Sequence, residues 1–143
     1  MRTRINKNKE QIFCEWRKRW VRLTPEEWVR QQLLHRLVEQ FGYPASLIAV
    51  EVPLEKLSTA NCQLPTKKRT DAVVYTANMQ PQMLIECKAE TVPLTQKTLD
   101  QAVTYNRRLN VPYLLLHNGV QSVFVDLTQE NLHFSATIPP YKA

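Results

Sequence analysis

Asp71, Glu86 and Lys88 are the residues whose types and spacing could do chemistry together. The last two sit in Leu84-Ile85-Glu86-Cys87-Lys88-Ala89, an apolar run with a carboxylate and an amine two residues apart. Read as a strand, the run places Leu84, Glu86 and Lys88 on one face and Met83, Ile85, Cys87 and Ala89 on the other. Charges in a buried strand are costly and persist only with a partner, a metal or a role. Hydrolysing a phosphodiester requires neutralising the charge that builds on phosphorus and generating a nucleophile near neutral pH, and a divalent metal does both. Mg²⁺ takes oxygen ligands and keeps several waters, so the carboxylates of Asp71 and Glu86 with the backbone carbonyl of Cys87 are a sufficient protein contribution. Lys88 could then orient the attacking water or counter transition-state charge. An Asp some fifteen residues ahead of Glu-x-Lys also arises by chance in many proteins. Context has to carry the reading.

The context is a set of elements that would hold these residues together. Thr24-Pro25-Glu26-Glu27 is a helix start, with Thr24 as N-cap, Pro25 in the first turn and Glu27 completing a capping box. The helix is expected to run to about Phe41 and stop at Gly42. Its inward stripe reads Glu27, Gln31, Leu34, Val38 and Phe41, so Glu27 faces inward as well as capping. Leu47 to Leu54 reads as a strand interrupted by Glu51, which could pair with Lys88 or with a first-helix arginine such as Arg30. The polar stretch Glu55 to Thr70 is an expected exposed connection whose Lys67-Lys68-Arg69 forms a basic patch. Asp71 to Tyr75 and the strand ending in Glu86 to Lys88 are joined by a short turn and must be antiparallel, which can set Asp71 beside Glu86. Thr95 to Leu109 has helical spacing, with Gln101 and Tyr105 one turn apart on a flank. The strand Val111 to Leu116 then implies a parallel crossover. Asn118-Gly119 turns into Val120 to Leu127, and Leu132 to Phe134 is a candidate edge strand.

Composition bounds the rest. The 143 residues are 43% hydrophobic and 22% charged, as in a single globular domain, and no apolar stretch nears the roughly 18 residues of a membrane span. The basic, polar N-terminus has no signal-peptide architecture, so a cytoplasmic protein without membrane association is expected. Cys14, Cys62 and Cys87 show neither disulfide nor metal spacing. The buried-hydrophobe reading of Cys87 outweighs a nucleophile, and His35, His117 and His133 make no zinc motif. With only Gly42 and Gly119 in the chain, a phosphate-cradling loop is excluded. The net charge of +6 favours an anionic partner such as nucleic acid. Eight Lys or Arg fall in the first 22 residues, interleaved with Phe13, Trp16 and Trp20. This segment reads as a basic, aromatic arm over residues 1–23 that packs on a domain of residues 24–135, with phosphate binding and base stacking as the other reading. Residues 136–143 should be an irregular tail.

With these stretches in view, the chain resembles the PD-(D/E)XK nuclease superfamily, and within it the N-terminal nuclease domain of type I restriction enzyme R subunits. The resemblance rests on Thr24-Pro25-Glu26-Glu27-Trp28-Val29-Arg30-Gln31, Arg69-Thr70-Asp71, Leu84 to Ala89, and Gln101-Ala102-Val103-Thr104-Tyr105-Asn106, in the family's order, over roughly residues 13 to 127. It implies an α/β fold with a restriction-endonuclease-like core, a mixed sheet of about five strands flanked by helices. It also implies that Asp71 and Glu86 are metal-binding acids, Lys88 the motif lysine and Glu27 the first-helix acid completing the metal site. Gln101 and Tyr105 match a Gln-x-x-x-Tyr element that touches DNA, and Gln31 fits a supporting position.

The expected activity is Mg²⁺-dependent hydrolysis of DNA in a restriction or defence setting, with Mn²⁺ as a substitute. R subunits continue into a motor, whereas the match here reaches the nuclease domain alone, so a nuclease without its own motor is expected. Its expected partners are DNA and restriction-modification or motor subunits, and double-strand cutting by so small a domain would call for a homodimer. The alternatives are a non-catalytic nucleic-acid-binding or assembly module that retains the fold, and a defence subunit acting on RNA.

Overall fold

Thr24 starts the first helix as expected: its Oγ1 accepts the Glu27 N–H at 3.0 Å, and Pro25 sits in the first turn, where its missing N–H costs nothing. The computed structural model describes residues 1–57 and 69–142, apart from the side chain of Glu55. Helix α1 spans Pro25–Phe41 and ends at Gly42, whose φ of 76° lies in the left-handed region that glycine enters without strain. Val29, Leu33, Leu34 and Leu37 form its buried stripe. Helix α2, Gln96–Asn106, is capped by Thr95, whose Oγ1 accepts the Thr98 N–H, and buries Leu99, Ala102 and Val103. No helix among the described residues is long and apolar enough to cross a membrane.

Between the helices lies a six-stranded sheet. Numbered after the three N-terminal strands described below, it contains β4 (Ile48–Val50), β5 (Ala72–Tyr75), β6 (Pro81–Cys87), β7 (Tyr113–His117), β8 (Ser122–Asp126) and β9 (Phe134–Ser135), in that order. Every pair is antiparallel except β6 and β7, which run parallel because α2 carries the chain back across the sheet. Alternation along β6 splits its side chains between two cores. Met83, Ile85 and Cys87 pack with Val29, Leu33 and Leu34 of α1, whereas Leu84 packs with Leu99, Ala102 and Val103 of α2. A central strand buried on both sides has to be almost continuously apolar, which explains the run around Glu86.

Two segments differ from expectation. The regular strand within Leu47 to Leu54 is only three residues long, because Glu51 adopts a φ of 55° and breaks the ladder's regularity; pairing resumes beyond it, where the Thr70 N–H donates to the Val52 carbonyl at 2.9 Å and Pro53 bridges Arg69. Residues 1–23, expected as an arm packed on the domain with no secondary structure assigned, form an antiparallel sheet of β1 (Thr3–Asn6), β2 (Lys9–Cys14) and β3 (Arg19–Arg22). Its first turn is Lys7-Asn8, both with positive φ (52° and 64°), the conformation that two-residue hairpins favour. No glycine marks it in the sequence. Ile12 and Cys14 are fully buried on the inner side.

A charged network ties this sheet to α1. Glu27 Oε1 accepts from Arg17 Nη2 at 2.6 Å and from Arg30 Nη2 at 2.8 Å. Its Oε2 accepts from Gln31 Nε2 at 2.9 Å and from Arg30 Nε at 3.3 Å. The carboxylate is thus fully engaged by side chains, and only the N–H half of the expected capping box forms. Glu51 joins the cluster at 3.3 Å from Arg17 and 3.6 Å from Arg30, the second of its two expected pairings. Burial raises the Glu27 pKa, but the hydrogen bonds from Arg17, Arg30 and Gln31 outweigh it and hold the carboxyl below its ordinary value. A depressed acid contributes stability above its unfolded pKa and loses it as pH falls through the folded one. Glu27→Ala leaves two buried guanidiniums without their shared counter-ion. It is expected to cost about 3–5 kcal/mol in urea unfolding near neutral pH. A change under about 1 kcal/mol would show that the cluster does not hold the sheet to the helix.

Candidate active site

The β5–β6 register sets the site. Ala72 pairs with Ile85, so one step further along the antiparallel pair brings Asp71 alongside Glu86. The Cys87 N–H donates to Asp71 Oδ2 at 2.6 Å, fixing the carboxylate across the end of the pair. Lys88 lies one residue past β6, and its N–H donates to the His117 carbonyl at 2.8 Å, extending the β6–β7 ladder by one bond. Val73 and Leu84 belong to the α2-side core, so alternation sends Asp71, Glu86 and Lys88 to the same side.

There the three line a cleft of about 550 Å³ whose walls include Gln101 and Tyr105 of α2, Arg69 and Glu26. Thr98, Ala102 and Cys87 complete it. Gln101 is exposed, Tyr105 is half-buried, and Arg69 also donates to the Glu51 carbonyl at 3.2 Å. Asp71, Glu86, Lys88, Gln101, Tyr105 and Arg69, singled out from sequence, therefore meet in one place. Lys67 and Lys68 lie outside the described residues.

Glu27 and Gln31 stand elsewhere. Glu27 does not line the cleft and is taken up by Arg17, Arg30 and Gln31. Gln31 has no exposed surface and cannot touch DNA; its amide supports Glu27 instead. The acid that α1 presents to the cleft is the neighbouring Glu26, which is solvent-exposed. Consecutive helical residues point about 100° apart, so a stripe drawn from Glu27 selects the buried side and misses the cleft side. Two adjacent acids at a helix start were the available signal. Arg30, read from sequence only as a partner for Glu51, also reaches the site: its Nη1 lies 3.6 Å from Asp71 Oδ1 and 3.4 Å from the Asp71 carbonyl.

Electrostatics in the cleft are dominated by its acids. Burial pushes the Asp71 carboxyl up to about 6; the Cys87 N–H and Arg30 offset part of this, while the charges of Glu26 and Glu86 add to the rise. No ion pair engages Glu26, Glu86 or Lys88 among the described residues. Burial and the charges of Glu26 and Glu86 thus act in the same direction on Asp71, disfavouring its charged form. Among the described residues no three acid, His or Cys side chains converge as a ready ligand group. The donors that do meet, Asp71, Glu86 and the carbonyl of Cys87, are all hard oxygens of the kind Mg²⁺ accepts, and Mg²⁺ needs few protein ligands. The thiol of Cys87 faces the α1-side core, where burial pushes its pKa well up, so it remains a protonated packing group.

Comparison with known proteins bears on the family and the fold. The family model of the type I restriction enzyme R protein N terminus matches residues 25–139. A solved fragment described as an HsdR subunit of a type I restriction enzyme from Vibrio vulnificus YJ016 aligns with a TM-score of 0.55 and 18% identity, over 82% of this chain and 24% of that chain. That likeness speaks for the fold, and this chain spans about a quarter of the other's length. Comparison with curated proteins gave no match. The family match covers α1, α2 and the whole six-stranded sheet, and on that extent the chain belongs to the family of type I restriction enzyme R protein N-terminal domains.

Proposed function

We propose that this chain is a metal-dependent endonuclease that hydrolyses DNA phosphodiester bonds, acting with DNA and the other subunits of a type I restriction-modification system. The observation that carries the reading is that Asp71, Glu86 and Lys88, from the ends of adjoining strands, open into one cleft walled by α2. Asp71, Glu86 and the Cys87 carbonyl would hold Mg²⁺, with Mn²⁺ as a substitute. When bound, the metal supplies a water acidified toward neutral pH and neutralises charge developing on the phosphate. Lys88 orients the attacking water and balances the added negative charge. Gln101, Tyr105 and Arg69 hold the strand against the cleft wall. Glu26 is the first-helix acid in reach of the site and supports water or metal there, in place of Glu27. Arg30 and the Cys87 N–H keep Asp71 from rotating away, which limits the reorganisation needed during reaction.

One observation favours a second reading, a module that binds nucleic acid without cutting it: no three ligand side chains converge among the described residues. Titration calorimetry with Mn²⁺ separates the two, since a binding module gives no metal heat that depends on Glu86.

Three outcomes are expected. Purified protein should nick or linearise plasmid in Mg²⁺ or Mn²⁺, with Asp71→Asn, Glu86→Gln and Lys88→Ala each about a hundredfold slower or worse; undiminished cleavage by Asp71→Asn or Lys88→Ala removes the assignment. Glu26→Gln should slow cleavage about tenfold with an unchanged unfolding midpoint, whereas Glu27→Gln should act chiefly on stability. A slow Glu27→Gln with intact stability would return the role to Glu27.

The third outcome concerns pH. The Asp71 carboxyl rises from 3.8 to about 6 on folding, so its stabilising contribution is complete at low pH and is lost as pH rises through 6. Asp71→Asn removes that loss while its side-chain oxygen can still accept the Cys87 N–H. Near neutral pH it should therefore be about 1–3 kcal/mol more stable than the parent in urea, while inactive. An advantage of Asp71→Asn over the parent that is no larger at pH 8 than at pH 4 would contradict the raised value.

A further inference from the structure

We infer that the outward face of the β1–β2–β3 sheet is a docking surface for the phosphodiester backbone of DNA, separate from the cleft. The inference extends the nuclease reading by naming where the substrate is held beyond the reacting bond. The face lies outside the matched family region, which begins at residue 25.

Alternation defines the face. Ile12 and Cys14 are buried on the inner side of β2, so Lys9, Gln11 and Phe13 lie on the outer side. The register then places Arg4, Gln11 and Arg22 in one row across the three strands, and Phe13 opposite Trp20. Arg2 joins the face through the Phe13 N–H, which donates to its carbonyl at 2.9 Å. Arg2, Arg4, Lys9 and Arg22 are all exposed. Alternation puts no acid among them: Glu10 falls on the reverse side. Glu15 reaches Arg2 only at 3.8 Å with both side chains largely in water, which is a weak restraint.

These cations are held rather than splayed. The Arg2 guanidinium lies 4.1 Å from the centre of the Phe13 ring, and that of Arg4 lies 4.2 Å from the Trp20 ring. The two rings meet edge to face at 5.5 Å, and Arg4 Nε donates to Gln11 Oε1 at 2.8 Å. Cation–π contact and a hydrogen bond order the arginines before a ligand arrives, so less side-chain freedom is lost on binding. The same contacts cover the rings. What the face offers is charge in a fixed pattern, with little bare aromatic surface for base stacking, which fits contact with phosphates rather than readout of bases. Four like charges on one small sheet are unfavourable to one another, and a polyanion relieves them while releasing its own counterions.

The test is fluorescence anisotropy of a labelled DNA duplex of about 30 base pairs, titrated in EDTA so that no cleavage occurs, at several salt concentrations. The variant Arg2→Ala/Arg4→Ala/Arg22→Ala is compared with Lys97→Ala/Arg107→Ala/Lys142→Ala, which removes the same charge elsewhere. The expected result is an affinity at least about tenfold weaker for the first variant and a salt slope lower by about three, with the second staying within about threefold of the parent. Arg22→Glu alone should reproduce the direction if the triple variant folds poorly by circular dichroism. Equal losses in both triple variants, or no loss in the first, overturn the inference. So does a matched single strand binding tenfold tighter than the duplex, which would put bases on the rings. Binding through this face in EDTA, together with no cleavage in Mg²⁺, would fail the nuclease reading alone; unchanged binding by the triple variant, with cleavage dependent on Asp71, would fail the docking surface alone.

Discussion

Arg30 is shared between two carboxylates, and much of the molecule is arranged by that sharing. One amino group of its guanidinium binds Glu27 at 2.8 Å and the other lies 3.6 Å from Asp71. A guanidinium cannot escape burial by losing its proton, so its surroundings must supply the compensating charge. Glu27 supplies most of it, at the shorter distance and with two hydrogen bonds. Asp71 receives the remainder. That division fits their different states: Glu27 is held below its ordinary pKa, while Asp71 sits near 6 despite the nearby cation. Arg17 makes the same division stricter, because it binds Glu27 and Glu51 and adds its charge to the Glu27 side of the network.

The consequence is a cleft with a surplus of acid. Glu26, Asp71 and Glu86 share it, and Lys88 has no ion pair there among the described residues. The charges of Glu26 and Glu86 add to the burial that disfavours ionisation of Asp71, so the acids of the cleft are not arranged for stability alone. On the proposed nuclease reading, Asp71 and Glu86 are there to hold the metal. The site is strained electrostatically, whereas the Glu27 cluster beside it is satisfied. The two belong together because Arg30 touches both.

The sequence was legible where local chemistry decides the outcome. Thr24, Pro25 and Gly42 bounded α1 because caps act within a few residues. Alternation in Leu84 to Ala89 separated Glu86 from Cys87, and the short connection after Tyr75 fixed the antiparallel orientation that lets Asp71 lie beside Glu86. It failed where the deciding partner is remote. Glu26 and Glu27 both suit the start of a helix, and what claims Glu27 is an arginine ten residues earlier, on a turn that must fold back against α1. The N-terminal sheet was hidden for a different reason. Its turn uses positive φ at Lys7 and Asn8 without a glycine, so the usual hairpin mark is missing and the charge density reads as a solvated arm. Glu51 likewise ends β4 by a positive φ that its apolar flanks give no sign of.

That hidden sheet changes how the chain divides. A boundary near residue 23 looks natural from composition, since the basic, aromatic segment stops there, and the family match begins two residues later. Yet the buried contacts run across it. Cys14 and Ile12 have no exposed surface, and Arg17, held by its own N–H and Nε on Cys14 Sγ, places its guanidinium on Glu27 at the base of α1. Separating the segments would expose apolar side chains and leave Glu27 short of one cation and Arg17 short of its anion. The N-terminal segment is therefore tied to the start of α1 through Arg17 and Glu27. Through Arg30, the same helix restrains Asp71. A segment that composition sets apart from the domain is in this way linked to the candidate catalytic carboxylate by three charged contacts, Arg17 to Glu27, Glu27 to Arg30 and Arg30 to Asp71.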